Sequence, residues 1–314
     1  LHYSLDEIMV GVGGKHIIYN AMMTTLNPGD EVIIPAPYWV SYPDIVLLAE
    51  GKPVIVPCSE INQFKITPSD LEKSISSKTK WLFLNSPSNP TGSVYTKEEL
   101  LSLGKILTKY PNINILTDDI YEKIIYDENV FYTIASILPE FKKRTLTLNG
   151  VSKSYCMTGW RLGYCGADKE IIAGMNKIQS QSNSSTSSIS MAAAVEALSG
   201  TQDFIFEHNI EFKKRRDMVV ENLNSINGIS CTLPPGAFYV YPNCSGVIGK
   251  KTPEGKVIDS DEKFMNYLLD SEGVAGVHGE AFGLSPYFRL SYATNDDVLK
   301  NACSRIKRAC EKLK

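Results

Sequence analysis

A chain of 314 residues is long enough for one large domain or two ordinary ones, and 43% hydrophobic with 21% charged residues marks a folded globular protein. The net charge of -3 offers no basic field for nucleic acid and no polybasic patch for a membrane, and no uncharged apolar run is long enough to span a bilayer. Seven cysteines, odd in number and without C-x-x-C spacing, fit neither a disulfide framework nor a zinc site, so a reducing cytoplasm is the expected compartment.

The chain begins at Leu1, no signal-like segment follows, and helix-opening glycines come almost at once, an abrupt start expected of a chain trimmed at its N terminus. A short strand is predicted over Glu7–Val12, feeding Gly11-Val12-Gly13-Gly14-Lys15 and a helix from about His16 to Leu26. Glycines before a helix let backbone N–H groups approach an anion at the positive end of the helix dipole. The third glycine of a dinucleotide loop is absent, and a Walker loop would need Gly at Met9 and Ser or Thr at His16. The stretch therefore reads either as a phosphate site or as a plain tight turn. After the turn Asn27–Asp30 and a strand over Glu31–Ile34 comes a proline-stiffened loop, Pro35-Ala36-Pro37-Tyr38-Trp39-Val40-Ser41-Tyr42-Pro43. Its aromatic residues are either core or a stacking platform for a flat ring, with Trp39 the largest face.

Lys52–Val56 and Trp81–Leu84 read as buried strands, separated by a helix that Thr67-Pro68-Ser69-Asp70 starts. The second strand ends in Asn85-Ser86-Pro87-Ser88-Asn89-Pro90-Thr91-Gly92, a polar loop at the carboxyl end of a strand, where open α/β sheets hold ligands. Thr96-Lys97-Glu98-Glu99 is a capping box for a helix to about Lys109. A strand over Asn112–Leu116 then delivers Thr117-Asp118-Asp119-Ile120-Tyr121. Paired acids could hold a metal, but no His/Asp/Glu cluster accompanies them, and Asp119 reads as a solvated cap. An acid facing a ring nitrogen, with a phenol close by, suits Asp118 and Tyr121 better.

A strand over Arg144–Leu148 leads into Asn149-Gly150-Val151-Ser152-Lys153-Ser154-Tyr155-Cys156-Met157-Thr158-Gly159-Trp160-Arg161. Small and hydroxyl neighbours leave room for Lys153 to form a Schiff base with a planar carbonyl, and Arg161 suits a phosphate that it can grip with two hydrogen bonds. Lysine, carbonyl and phosphate together describe pyridoxal phosphate; a surface lysine in a serine-rich loop is the alternative. Another strand is predicted over Leu162–Cys165. The serine-rich stretch Ser180–Ser190 is either a linker or an ordered loop, and helical sequence resumes near Met191 and again over Phe204–Asn224.

From Ile229 the pattern shifts to short strands (Ser230–Leu233, Ala237–Tyr241, Val274–Val277, Phe288–Ala293), a loop over Gly246–Gly255 and a helix over Asp261–Ser271. A last helix carries Val298, Leu299, Ala302, Ile306, Ala309 and Leu313 as a core stripe. Strands alternating with helices over the first two hundred residues predict an α/β fold with a doubly wound, mostly parallel mixed sheet over residues 1–205, and a smaller α+β unit over 206–314.

Gly13-Gly14-Lys15, Trp39, Asn89-Pro90-Thr91-Gly92, Asp118 with Tyr121, Lys153, Arg161 and Phe288-Arg289-Leu290-Ser291-Tyr292-Ala293 occur in this order along the chain. In that order they resemble the fold-type I pyridoxal-phosphate aminotransferases, specifically the bacterial aspartate aminotransferase family, over nearly the whole length. The resemblance implies that Lys153 binds pyridoxal 5'-phosphate covalently and shuttles the substrate proton. It implies that Asp118 pairs with the pyridinium nitrogen, that Asn89 and Tyr121 donate to the ring oxygen and that Trp39 stacks on the ring. Arg161, the amides of Gly13 and Gly14, and Ser152 would hold the phosphate. Arg289 would clamp the substrate α-carboxylate as a fork, and Lys15 would meet a distal carboxylate beside the cofactor.

The implied reaction is transamination of aspartate with 2-oxoglutarate by a ping-pong cycle in a cytoplasmic homodimer, with amino acids and 2-oxo acids as partners and no metal, nucleic acid or membrane. Alternatives are a prephenate or aromatic aminotransferase, a lyase or decarboxylase on the same cofactor, or a non-enzymatic chain, either an inactive truncated fragment or a binding or regulatory domain built on this fold. Two departures matter. Ser182-Asn183-Ser184-Ser185-Thr186 stands where relatives have Thr and an Asn-Pro pair, in a loop that reaches the neighbouring subunit's cofactor. The family's N-terminal segment, which completes the small domain and crosses the dimer, is missing from this chain, which keeps impaired dimerisation or catalysis among the expectations.

Overall fold

The computed structural model describes residues 1–314. Its principal sheet has seven strands: β1 (Ile8–Gly11), β2 (Glu31–Ala36), β3 (Lys52–Pro57), β4 (Thr79–Asn85), β5 (Asn114–Asp118), β6 (Thr145–Gly150) and β7 (Gly163–Gly166). They lie in the order β1-β7-β6-β5-β4-β2-β3. Strands β3, β2, β4, β5 and β6 run parallel, whereas β7 pairs antiparallel with both β6 and β1. Seven helices accompany the sheet: α1 (Gly14–Thr25), α2 (Ser41–Leu48), α3 (Pro68–Ser74), α4 (Lys97–Leu107), α5 (Ile134–Ile137), α6 (Lys169–Ser182) and α7 (Ser188–Ser199).

Side chains alternate between two cores, one on each face of the sheet. On β4, Trp81 and Phe83 join Ile17, Ile18 and Met22 of α1, while Leu82 and Leu84 join Leu100, Leu103 and Leu107 of α4. Burial on both faces is why these strands read as near-continuous apolar runs. Each such side chain contributes roughly 1.5–3 kcal/mol. The expected caps form: Thr67 Oγ1 accepts from Asp70 N at 3.2 Å, and Thr96 and Glu99 make the reciprocal capping box.

The C-terminal part holds α8 (Asp203–Asn224), β8 (Tyr239–Val240), α9 (Asp261–Glu272), β9 (Val277–His278), β10 (Phe288–Ser291) and α10 (Asp296–Glu311). Its antiparallel sheet, ordered β8-β10-β9, shares a core with Leu223, Phe264, Leu268 and Ile306. Helix α8 runs unbroken across residues 205 and 206; Ile205 packs beside the lysine loop with Val151 and Tyr155, and Leu223 joins the core of the C-terminal sheet. No helix is long and apolar enough to cross a membrane.

Several elements differ from the sequence reading. Helix α2 occupies part of the proline-rich loop, because Pro43 sits in its first turn, where the missing N–H has no helical partner to lose. The serine-rich stretch is no linker: α6 ends at Ser182 and α7 starts at Ser188. The strand expected over Ser230–Leu233 reduces to one bridge between Ser230 and Asn243. Val298, expected in the stripe of α10, is 51% exposed at its edge.

Candidate active site

The carboxyl ends of β4, β5 and β6 open onto a cavity of about 290 Å³. Gly14, Lys15, Trp39, Asn89, Asp118, Tyr121, Ser152, Lys153 and Arg161 line it, nine residues that the sequence singled out. Gly13 and Arg289 flank it through contacts with lining residues.

One end is built for an anion. Helix α1 starts at Gly14 without a side-chain cap, so the amides of Gly14 and Lys15 have no carbonyl partner and face outward along the dipole. Gly13 works differently from the expected amide donor: its N–H is engaged by the Gly11 carbonyl at 2.8 Å. What Gly13 provides is conformation, with φ +82° and an absent Cβ that would lie 2.6 Å from Arg161 Nη2. Arg161 Nη1 donates to Thr158 O at 2.8 Å, which fixes the guanidinium against that turn. Gly163 on β7 is equally constrained, since a Cβ there would meet Gly14 N at 2.6 Å. Ser152, buried between the strand end and Lys153, adds a hydroxyl.

At the other end, Asp118 terminates β5 and is buried. Burial pushes its pKa up to about 6, against the pull of a hydrogen bond that Tyr42 OH donates to Oδ2 at 2.7 Å, a longer one from Ile120 N, and the Lys153 charge. Burial lowers the Lys153 pKa, and the Arg289 and Arg161 charges lower it further, while Asp118 opposes the change. Lys153 Nζ lies 5.8 Å from the ring centroids of Tyr121 and Phe238. An amine eased toward neutrality is a nucleophile, and a buried acid beside it suits a cationic ring nitrogen.

Arg289 on β10 reaches across from the small sheet, donating through Nη1 to Asn89 Oδ1 at 2.8 Å. Its guanidinium lies 4.6 Å over the Tyr239 ring and 5.0 Å over that of Phe282, and it forms no ion pair with any acid of this chain. A half-buried guanidinium without a carboxylate is prepared to receive one. Lys15 Nζ sits 5.0 Å over the Trp39 ring at the open side.

Sequence reasoning missed Tyr42, Asn85, Thr158 and Tyr239. Asn85 Oδ1 accepts from Asn89 N at 2.8 Å and holds that loop in place; Tyr239 OH meets Tyr121 OH at 2.9 Å. Tyr42 and Asn85 lay inside stretches already singled out, but nothing local marked them. Asp119 is no solvated cap: it is buried, accepts from Thr117 Oγ1 at 3.4 Å and does not line the cavity.

Sheet order, the cavity at the strand ends and an amine, an acid and two arginines around it define a fold-type I enzyme built for amino-group chemistry. The chain belongs to the aminotransferase class I and II family, whose profile matches residues 2–306. It is 54% identical over 310 residues to a probable aspartate/prephenate aminotransferase of Rhizobium leguminosarum bv. phaseoli, covering 99% of this chain and 78% of the relative. The crystal structure of the aspartate aminotransferase from Rhizobium meliloti is similar at a TM-score of 0.98 and 52% identity, covering 100% of this chain and 78% of that one. An aromatic aminotransferase from Pyrococcus horikoshii OT3 matches at a TM-score of 0.88 and 36% identity, over 97% and 79% of the two chains.

Proposed function

We propose that this enzyme converts aspartate and 2-oxoglutarate to oxaloacetate and glutamate in two half-reactions on bound pyridoxal 5'-phosphate. The observation that carries the reading is one cavity holding an amine of lowered pKa, a buried acid and an anion-binding helix start, in a chain 54% identical to an aspartate/prephenate aminotransferase. The residues fit the cofactor. Its phosphate suits Arg161, Ser152 and the free amides beside Gly13; its carbonyl carbon suits Lys153 Nζ; its ring nitrogen suits Asp118. Asn89 and Tyr121 are donors for the ring oxygen, and Trp39 offers a ring face. When bound, the cofactor supplies an electron sink for the substrate carbon that loses its proton.

The chain's own groups do the rest. Arg289 takes the α-carboxylate as a fork and so orients the Cα–H bond toward Lys153. Lys153 Nζ, whose charged form burial and the two flanking arginines disfavour, accepts that proton and later returns it. Asp118, deprotonated above about pH 6, holds a proton on the ring nitrogen by its charge. Lys15, at the open side, meets the distal carboxylate. Prephenate is the second substrate this reading admits, since it also presents a distal carboxylate and the relative's name includes it.

Residues 1–205 are the proposed large unit and 206–314 the small one, in a homodimer of the cytoplasm. Supporting the dimer, Ile189 and Val195 of α7 and Phe206 of α8 remain 80%, 64% and 71% exposed, apolar surface that a second copy would cover. The test is a visible spectrum of protein loaded with pyridoxal phosphate. A band lost on adding aspartate and regained with 2-oxoglutarate is expected; a band indifferent to both would refute transamination of this donor. Lys153→Ala should abolish the cycle.

A further inference from the structure

We infer that Tyr239 is a positioning residue of the cavity: it donates its phenolic proton to the oxygen of Tyr121 and thereby directs the proton of Tyr121 into the cavity, toward the cofactor's ring oxygen. The inference rests on the proposed pyridoxal-phosphate reading. Tyr239 does not line the cavity and belongs to β8, far along the chain from Tyr121. The two hydroxyl oxygens are 2.9 Å apart, both residues are buried, and the rings meet edge-to-face. Only one proton can lie between two oxygens at that distance, so one phenol donates and the other accepts.

Surrounding charges decide which. The Arg289 guanidinium favours the ionised form of both phenols, but it lies over the ring of Tyr239, 4.6 Å from its centroid, and not over that of Tyr121. Burial raises both phenols, but Tyr121 is also held back by the carboxylate of Asp118 on the same cavity wall, which tightens its grip on its own proton. The more acidic phenol donates to the more basic one. With its oxygen lone pair so engaged, Tyr121 turns its own O–H toward the open cavity that it lines.

The backbone before Tyr239 is fixed for this aim. Ala237 has φ +56°, a left-handed conformation that a residue with a Cβ seldom adopts. It is held from both sides: its N–H donates to Ile124 O at 2.9 Å, and its carbonyl accepts from the hydroxyls of Tyr126 and Tyr292. Next to it, Gly236 N donates to Gly92 O at 2.9 Å, which ties this segment to the loop carrying Asn89. Tyr292 thereby acquires a purpose within the Arg289–Ala293 stretch that Arg289 alone does not explain. Arg289 donates to Asn89 and polarises Tyr239, so both donors for the ring oxygen, Asn89 and Tyr121, are set by the residue that receives the substrate carboxylate.

A donor at the ring oxygen lowers the pH at which the visible band of bound pyridoxal phosphate changes, so that midpoint reads the strength of Tyr121 as a donor. The experiment compares loaded wild type, Tyr121→Phe, Tyr239→Phe and the double variant by absorbance against pH. Tyr239→Phe keeps the ring under Arg289 and the core packing, and matching near-ultraviolet circular dichroism verifies this. Tyr121→Phe is expected to raise the midpoint, Tyr239→Phe to raise it by about half a pH unit, roughly part of one neutral hydrogen bond. In the Tyr121→Phe background the second change should add nothing. An unmoved midpoint in Tyr239→Phe beside a moved one in Tyr121→Phe, or two additive shifts, overturns the assignment of Tyr239 alone. No visible band in wild type overturns the cofactor reading, and this inference with it.

Discussion

Replacing Asp118 with asparagine should make the cofactor-free protein more stable at pH 8 and less stable at pH 4. Burial raises this carboxyl from its ordinary 3.8 to about 6 in the folded chain. Because the folded value lies above the unfolded one, the folded state binds more protons between those limits. The stabilisation from Asp118 is therefore fully present below about pH 4 and lost as pH rises through 6. A rise of about two pH units corresponds to about 3 kcal/mol, charged against the folded state once the carboxylate forms. Asparagine removes that cost and keeps an oxygen for the Tyr42 hydroxyl, but it brings an NH2 group with no acceptor waiting, at about 1 kcal/mol. The net expectation is a gain of roughly 2 kcal/mol at pH 8 and a loss of roughly 1 kcal/mol at pH 4. Urea unfolding of both proteins at pH 4, 6 and 8 measures it, and the subtraction removes every other titrating group that the variant leaves untouched. Two curves that stay parallel across this range would refute the burial argument. The same variant should bind pyridoxal phosphate more weakly, since stability here is given up to keep a charge in place.

Arg289→Lys replaces a planar fork by a point charge; kcat/KM for aspartate should fall roughly ten-fold or more, and an unchanged value would remove Arg289 from the carboxylate site. Gly163→Ala puts a Cβ 2.6 Å from Gly14 N, so the anion-binding turn must move. It should cost about 1–3 kcal/mol in thermal unfolding and weaken phosphate binding, whereas Gly159→Ala, with nothing within 4 Å, should leave both unchanged. Asn20 in α1 is fully buried with neither amide atom hydrogen-bonded, so Asn20→Leu should stabilise the protein by about 1 kcal/mol or more. A lower melting temperature instead would mean that ordered water satisfies the amide.

Most residues that could be read from sequence sit in a loop, at a helix start or at a strand end whose local chemistry already marks a break in structure; Arg289, inside β10, was legible only through the resemblance. Gly13-Gly14-Lys15, the loop ending at Gly92, Asp118 after a strand and Lys153 among small residues all announce themselves within a few positions. Their supports do not. Tyr42 is 76 residues from Asp118, and Tyr239 is 118 residues from Tyr121. A tyrosine in an apolar stretch looks the same whether its hydroxyl serves a catalytic acid or merely fills a core. Helix α2 was hidden for a related reason: proline in a first turn and proline in a loop have the same local signature.

The same burial that makes the site hard to read makes it reactive. Asp118 and Lys153 are withdrawn from water together, and desolvation moves each toward its neutral form: the acid up, the amine down. Each charge partly offsets the other's shift, which leaves Asp118 near 6 with Tyr42 supporting its ionised form. Arg289 and Arg161 break the symmetry. Both oppose a charge on Lys153 and so add to the desolvation that lowers its pKa. A carboxylate docking on Arg289 weakens that drive at the moment when Lys153 must take a proton. Substrate binding and the basicity of Lys153 are thereby linked through charge.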